Sequence, residues 1–155
     1  MTLSEENLGP PALRIAGFQL WVHGRQFPEA QDYWDGNWLN VTAHCGSAGA
    51  SVWVSGAVLM VTDLARFAAQ CRGLSEGHLA EATLSPLEPE LRVLIGQIDR
   101  QGHLVLRVEI TPDPVTQQHS FEFAIDQSYL PALLSEVNAV LREYPIREPE
   151  QFHRA

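Results

Sequence analysis

Leu130, Leu133, Leu134, Val137, Val140, Leu141 and Tyr144 recur at i, i+3, i+4, i+7, i+10, i+11 and i+14. That spacing lays one apolar stripe along a helix of about four turns, and such a stripe is stable only under an apolar cover. The rest of the chain must supply that cover, and its patterning says that the cover is a sheet. Ser128 is placed to cap the helix and leaves Pro131 in the first turn, where a missing amide proton costs little. Pro145 ends it.

Strand signals come in runs. Phe18, Leu20 and Val22 alternate with Gln19, Trp21 and His23, the period of two expected of a half-buried strand. Gly17 reads as a bulge that resets this alternation against Leu13 and Ile15. Asn37 to His44 and Ser51 to Val54 read as a hairpin around Gly46-Ser47-Ala48-Gly49, with Val58 to Val61 a further short strand after Gly56. Thr62 then looks like the N-cap of a helix carrying Leu64, Phe67, Ala68 and Cys71 on one face, with Arg72 and Gly73 as its stop. Beyond it come Ala80 to Leu84, a central strand Leu91 to Ile98 that is apolar on both faces, and the turn Asp99-Arg100-Gln101-Gly102. Two alternating strands follow, His103 to Thr111 and one built on Phe121, Phe123 and Ile125. Strands in runs with two separated helices predict an α+β fold: a twisted antiparallel meander with the C-terminal amphipathic helix packed on one face. No internal repeat is visible. Residues 1–12 read as a flexible lead-in broken by Gly9-Pro10-Pro11, 13–147 as one domain, and 148–155 as a polar tail.

Composition narrows the function. The chain has 155 residues, 45% of them hydrophobic, enough for a core without staples. No apolar run reaches the ~18 residues of a membrane span. The lead-in lacks the basic start and apolar centre of a signal peptide, so a cytoplasmic protein is expected. Cys45 and Cys71 then read as reduced core residues. A net charge of −9 speaks against nucleic acid and anionic membranes as ligands. It suits a basic protein partner, and equally mere solubility.

No pattern specific to catalysis, metal or cofactor appears. None of the six histidines lies three to five residues from another. His44 and Cys45 are adjacent in a strand and so face opposite sides, which spoils a thiol–imidazole dyad. Glu88 with Glu90, and Asp32 with Asp35, are acidic pairs of a kind common in surface loops. What stands out is the segment from Gly24 to Leu39, where Asp32, Tyr33, Trp34, Asp35, Gly36, Asn37 and Trp38 interleave aromatics with carboxylates. As a contact surface, Tyr33 and Trp34 would supply anchoring area, and Asp32 and Asp35 charge for a basic partner. As architecture, Trp34 and Trp38 would plug the sheet end, Asn37 would cap a turn and Gly36 would take a positive φ. Asn37 and Trp38 fit the architectural role better; Tyr33 and Asp35 stay open between the two.

Gln26-Phe27-Pro28, Asp35-Gly36-Asn37-Trp38-Leu39, Glu88-Pro89-Glu90-Leu91 and the closing Tyr144-Pro145-Ile146-Arg147 resemble, in register from about Leu13 to Arg147, the WapI-like immunity proteins of bacteria. Gly36 stands where that pattern leads one to expect alanine. The resemblance implies a small cytoplasmic antidote that binds the C-terminal domain of a contact-dependent toxin, one to one and without turnover. For the founding member the toxin is a nuclease acting on tRNA, which would make the partner basic. It implies no catalytic residues and no cofactor. A module holding a small ligand between sheet and last helix is the alternative, and it requires an apolar pocket there.

Overall fold

The computed structural model describes residues 5–148, so residues 1–4 of the expected lead-in and 149–155 of the expected tail lie outside the described residues. Within them the chain forms two four-stranded antiparallel sheets. The first runs in the order β1 (Leu13–Ile15), β2 (Phe18–Arg25), β3 (Trp38–Ser47), β4 (Ala50–Met60). The second runs β5 (Glu81–Leu84), β6 (Leu91–Gln97), β7 (His103–Ile110), β8 (Ser120–Asp126). Helix α3 (Val61–Ser75) follows the first sheet and α4 (Leu130–Glu143) the second. Two one-turn helices, α1 (Glu5–Leu8) and α2 (Tyr33–Gly36), precede them. The α+β class, the antiparallel runs and the closing helix are as the sequence predicts. The strands divide between two sheets, and the order of four strands then a helix occurs twice although no sequence repeat marks it.

Four boundaries differ from the sequence reading, each for a local reason. Gly17 is not a bulge. It and Ala16 (φ 49°) reverse the chain, so that Ile15 pairs with Phe18 and Leu13 with Leu20. A Cβ on Gly17 would sit 2.3 Å from the Gly46 carbonyl oxygen and 2.7 Å from the Phe123 ring, so only glycine lets the two sheets approach there. Gly56 (φ 130°) does not end β4 but kinks it. The register shifts between Leu39 and Val41, and β4 continues to Met60. Helix α3 begins at Val61, one residue before the expected cap. Asp63 Oδ2 accepts the Met60 amide proton at 2.8 Å, while the Thr62 hydroxyl is buried with no partner among the described residues. Gly73 lies inside α3, where a Cβ would meet Leu79 at 2.7 Å; the chain turns off only at Gly77 (φ 79°).

Leu104, Leu106, Val108 and Ile110 of β7 face the same core as Leu39, Val41 and Ala43 of β3. The stripe of α4 is covered as its spacing requires: Leu130, Leu133, Val137 and Val140 are buried, and Leu134, Leu141 and Tyr144 are half-buried against the core. Each fully buried side chain of this kind contributes about 1.5–3 kcal/mol. Its neighbours are α3 and β1, so the last helix leans on the first half of the chain. Before it, Asp126, rather than Ser128, accepts the amide proton of the turn (Ser128 N to Oδ1, 2.9 Å).

Candidate partner-binding site

The loop between β2 and β3 is built by short-range bonds. Asp32 caps α2, its Oδ2 accepting the Asp35 amide proton at 3.1 Å, and its carbonyl takes the Gly36 amide proton at 3.0 Å. Trp34 projects from that turn 55% exposed, edge-on to Tyr33 with ring centroids 5.0 Å apart. Trp34 is therefore no plug of the sheet; Tyr33 and Trp38 are half-buried. Asp32 and Asp35 are exposed, and neither has an ion-pair partner among the described residues.

Long-range bonds then hold the loop to the chain end. Asn37 is fully buried; its Nδ2 donates to the carbonyls of Tyr33 (2.8 Å) and Arg147 (2.7 Å), and its Oδ1 accepts the Arg147 amide proton (2.8 Å). The Arg147 guanidinium donates to the carbonyls of Pro28 (2.6 Å) and Ala30 (2.7 Å). Arg25 donates to Gly36 (2.6 Å) and to Pro145, with its guanidinium 5.9 Å from the centre of the Tyr144 ring. Burial, then the nearby Arg147 charge, lowers the Arg25 pKa below its ordinary value. Gly36 has no positive φ, contrary to expectation. It is needed because a Cβ would lie 2.9 Å from the Ala30 carbonyl oxygen and 3.3 Å from Arg147 Cδ. Three of the four motifs that carry the family resemblance thus meet in one clasp. The fourth, around Glu88 and Glu90, lies instead against the edge of β4, lining a cleft of about 240 Å³ with Trp53–Val58 and Pro112.

Sequence reasoning missed Phe27 (46% exposed) and Ile146 (42% exposed), each adjacent in sequence to a clasp residue. The only signal was their place in the motifs. It also missed the outer face of the first sheet. There Trp21 stacks on Trp53 at 5.8 Å, and His44 lies 4.2 Å from Trp53 while bonding Gln19 (2.8 Å) and Ser51 (2.7 Å). His23 bonds Thr42, which bonds Ser55. These are the alternating outward positions of β2, β3 and β4 joined side to side.

Other candidates resolve as structural. His44 faces outward and Cys45 is fully buried in the core. Both cysteines are free thiols, and burial pushes each up to about 12. Asp99 hydrogen-bonds His103 at 2.6 Å and raises its pKa, and is itself lowered by that bond. No group of three or more potential metal ligands occurs among the described residues. No helix among them is long and apolar enough to cross a membrane. The space under the α4 stripe is filled by Leu133, Val137 and Val140, and the cleft beside the start of α4 is an open depression of about 480 Å³.

Fold and loop together define a small antiparallel α+β domain with an aromatic and acidic surface loop tied to its own chain end. Residues 13–145 match the model of the immunity protein WapI-like family, and the chain belongs to that family. No curated protein matches it. Among solved structures, WHY1 from Arabidopsis thaliana is similar at 13% identity over 83% of this chain and 84% of that one, with a TM-score of 0.47. WHY3 from the same plant is similar at 11% identity over 85% of each chain, with a TM-score of 0.45.

Proposed function

We propose that this protein is a cytoplasmic immunity protein that neutralises a cognate contact-dependent toxin domain by binding it one to one, without turnover. Membership of the WapI-like family carries this reading. Asp32, Tyr33, Trp34 and Asp35 are the proposed contacts, with Trp34 as anchor. An exposed tryptophan beside unpaired carboxylates is the chemistry that recognises an apolar pocket with a basic rim. The net charge of −9 supports the same partner, an RNA-cleaving domain whose substrate groove must be basic.

Co-expression tests it. The toxin C-terminal domain encoded beside this gene is produced with and without this protein. Growth rescue together with a co-migrating equimolar complex on a sizing column is expected. Toxicity that persists with no complex would refute the reading.

A further inference from the structure

We infer that the partner-contact surface is composite: Phe27 and Trp34 from the β2–β3 loop and Ile146 from the chain end form its apolar centre, and the Asn37–Arg147 clasp presets its shape. This rests on the toxin-binding reading above and specifies the surface that reading leaves to four loop residues. The occupant is the toxin domain, through an apolar pocket rimmed by arginine or lysine.

Three observations lead here. First, three of the large exposed apolar side chains each stand next in sequence to a residue of the clasp. Phe27 precedes Pro28, Trp34 follows Tyr33 and Ile146 precedes Arg147, and each of those neighbours is a clasp residue. Exposed apolar side chains are ordinary when scattered, but a set fixed at one place marks a contact. Second, the charges around them sort by sign. Arg25 and Arg147 spend their guanidinium groups on the carbonyls of Gly36, Pro145, Pro28 and Ala30. Glu29, Asp32 and Asp35 are exposed, Asp32 while capping α2, and none is in an ion pair among the described residues. The cations flanking the loop are therefore engaged with backbone carbonyls while its carboxylates stay exposed, which selects a cationic rim on the partner. Third, the clasp bridges about 110 residues of sequence yet only a short distance in space. A loop left unclasped would have to be ordered on binding, and that entropy opposes affinity; a clasp fixes it beforehand.

Asn37, Arg147 and Arg25 are thus positioning residues, and Phe27, Trp34 and Ile146 the contacts. The full chain carrying Phe27→Ser, Ile146→Ser or both is titrated with the toxin C-terminal domain encoded beside the gene, with Leu87→Ser, 72% exposed elsewhere, as control. Each of the first two is expected to weaken binding about tenfold or more, with unchanged melting, and Leu87→Ser to leave it unchanged. Arg147→Ala tests positioning through a cycle with Ile146→Ser. If the clasp presets Ile146, the second substitution adds nothing once the first is made, whereas a merely structural Arg147 gives additive losses. Weakening by Trp34→Ala with none from Phe27→Ser or Ile146→Ser would overturn the composite surface and leave toxin binding standing. Absence of binding by the unaltered protein would sink both. Conversion of a dimer to a monomer by Phe27→Ser in sedimentation, with toxin affinity intact, would make the patch a self-contact and also overturn the proposal.

Discussion

Asn37 satisfies three polar groups with one fully buried side chain, two carbonyls and an amide proton, and its own carbonyl accepts the Val61 amide proton at 2.8 Å. Alanine at this position would remove the three side-chain hydrogen bonds to the Tyr33 and Arg147 backbone near the core, and losing buried bonds of this kind costs more than the mean value of a hydrogen bond. Asn37→Ala is expected to lower stability by about 2–4 kcal/mol, read as a lower urea midpoint with an unchanged slope. A loss under about 0.5 kcal/mol would mean that water replaces the amide and the clasp is dispensable. The architectural role of Asn37 was legible from its place before a strand, because asparagine serves turns through local bonds. Its tie to Arg147 was not, since nothing in the sequence near residue 37 refers to residue 147. For the same reason Ile146 was legible only as a member of the closing Tyr144-Pro145-Ile146-Arg147 motif, with nothing to tie that motif to the β2–β3 loop.

At the scale of elements, one-sided periodicity was readable and chain reversals were not. Helix α4 and strands β7 and β8 fell where alternation or helical spacing placed them, because each has one face on the core and one in water, whereas β6, expected to be apolar on both faces, buries only Leu91, Val93 and Ile95 and leaves Arg92 exposed. The β1–β2 reversal was hidden because Ala16 takes the positive φ, a position where glycine or asparagine is the usual signal. Gly56 misled in the other direction, since a glycine that kinks a strand and one that ends it look alike in sequence. The start of α3 gives a sharp test of such local readings. Thr62 is a good cap residue by type, but its hydroxyl is buried with no partner among the described residues, and Asp63 caps through Oδ2 while Oδ1 bonds Arg66 at 2.5 Å. Asp63→Ala should cost about 1–2 kcal/mol, as lost caps do. Thr62→Val, nearly the same shape, should be neutral or stabilise by up to about 1 kcal/mol, because it removes an unsatisfied buried hydroxyl. Chemical denaturation of the two variants measures both. The opposite ranking would return the cap to Thr62.

For the whole molecule, the two runs of four strands and a helix raise the question of whether each half could unfold alone. The packing argues that they cannot. Strands β3 and β4 lie against β7, α4 lies against α3 and β1, and the Arg14 amide proton is donated to Glu136 at 3.0 Å. The clasp then fixes the end of the second half to the β2–β3 loop of the first. Separating the halves would expose the core between the sheets and break every one of these ties, so partial unfolding loses most of the burial while regaining only half of the chain entropy. A single transition is expected, even though 155 residues sits near the ~150-residue limit of common two-state behaviour. The distribution of tryptophan makes the test clean. Trp21, Trp34, Trp38 and Trp53 all lie in the first half, so their fluorescence reports β2, β3, β4 and the loop between β2 and β3. Far-UV dichroism is weighted toward α3 and α4, the second of which belongs to the other half. Coincident urea curves from the two probes would establish one cooperative unit over 13–147. Fluorescence that changes ahead of dichroism would show the first sheet opening by itself, and the clasp would then be too weak to hold the contact loop in shape.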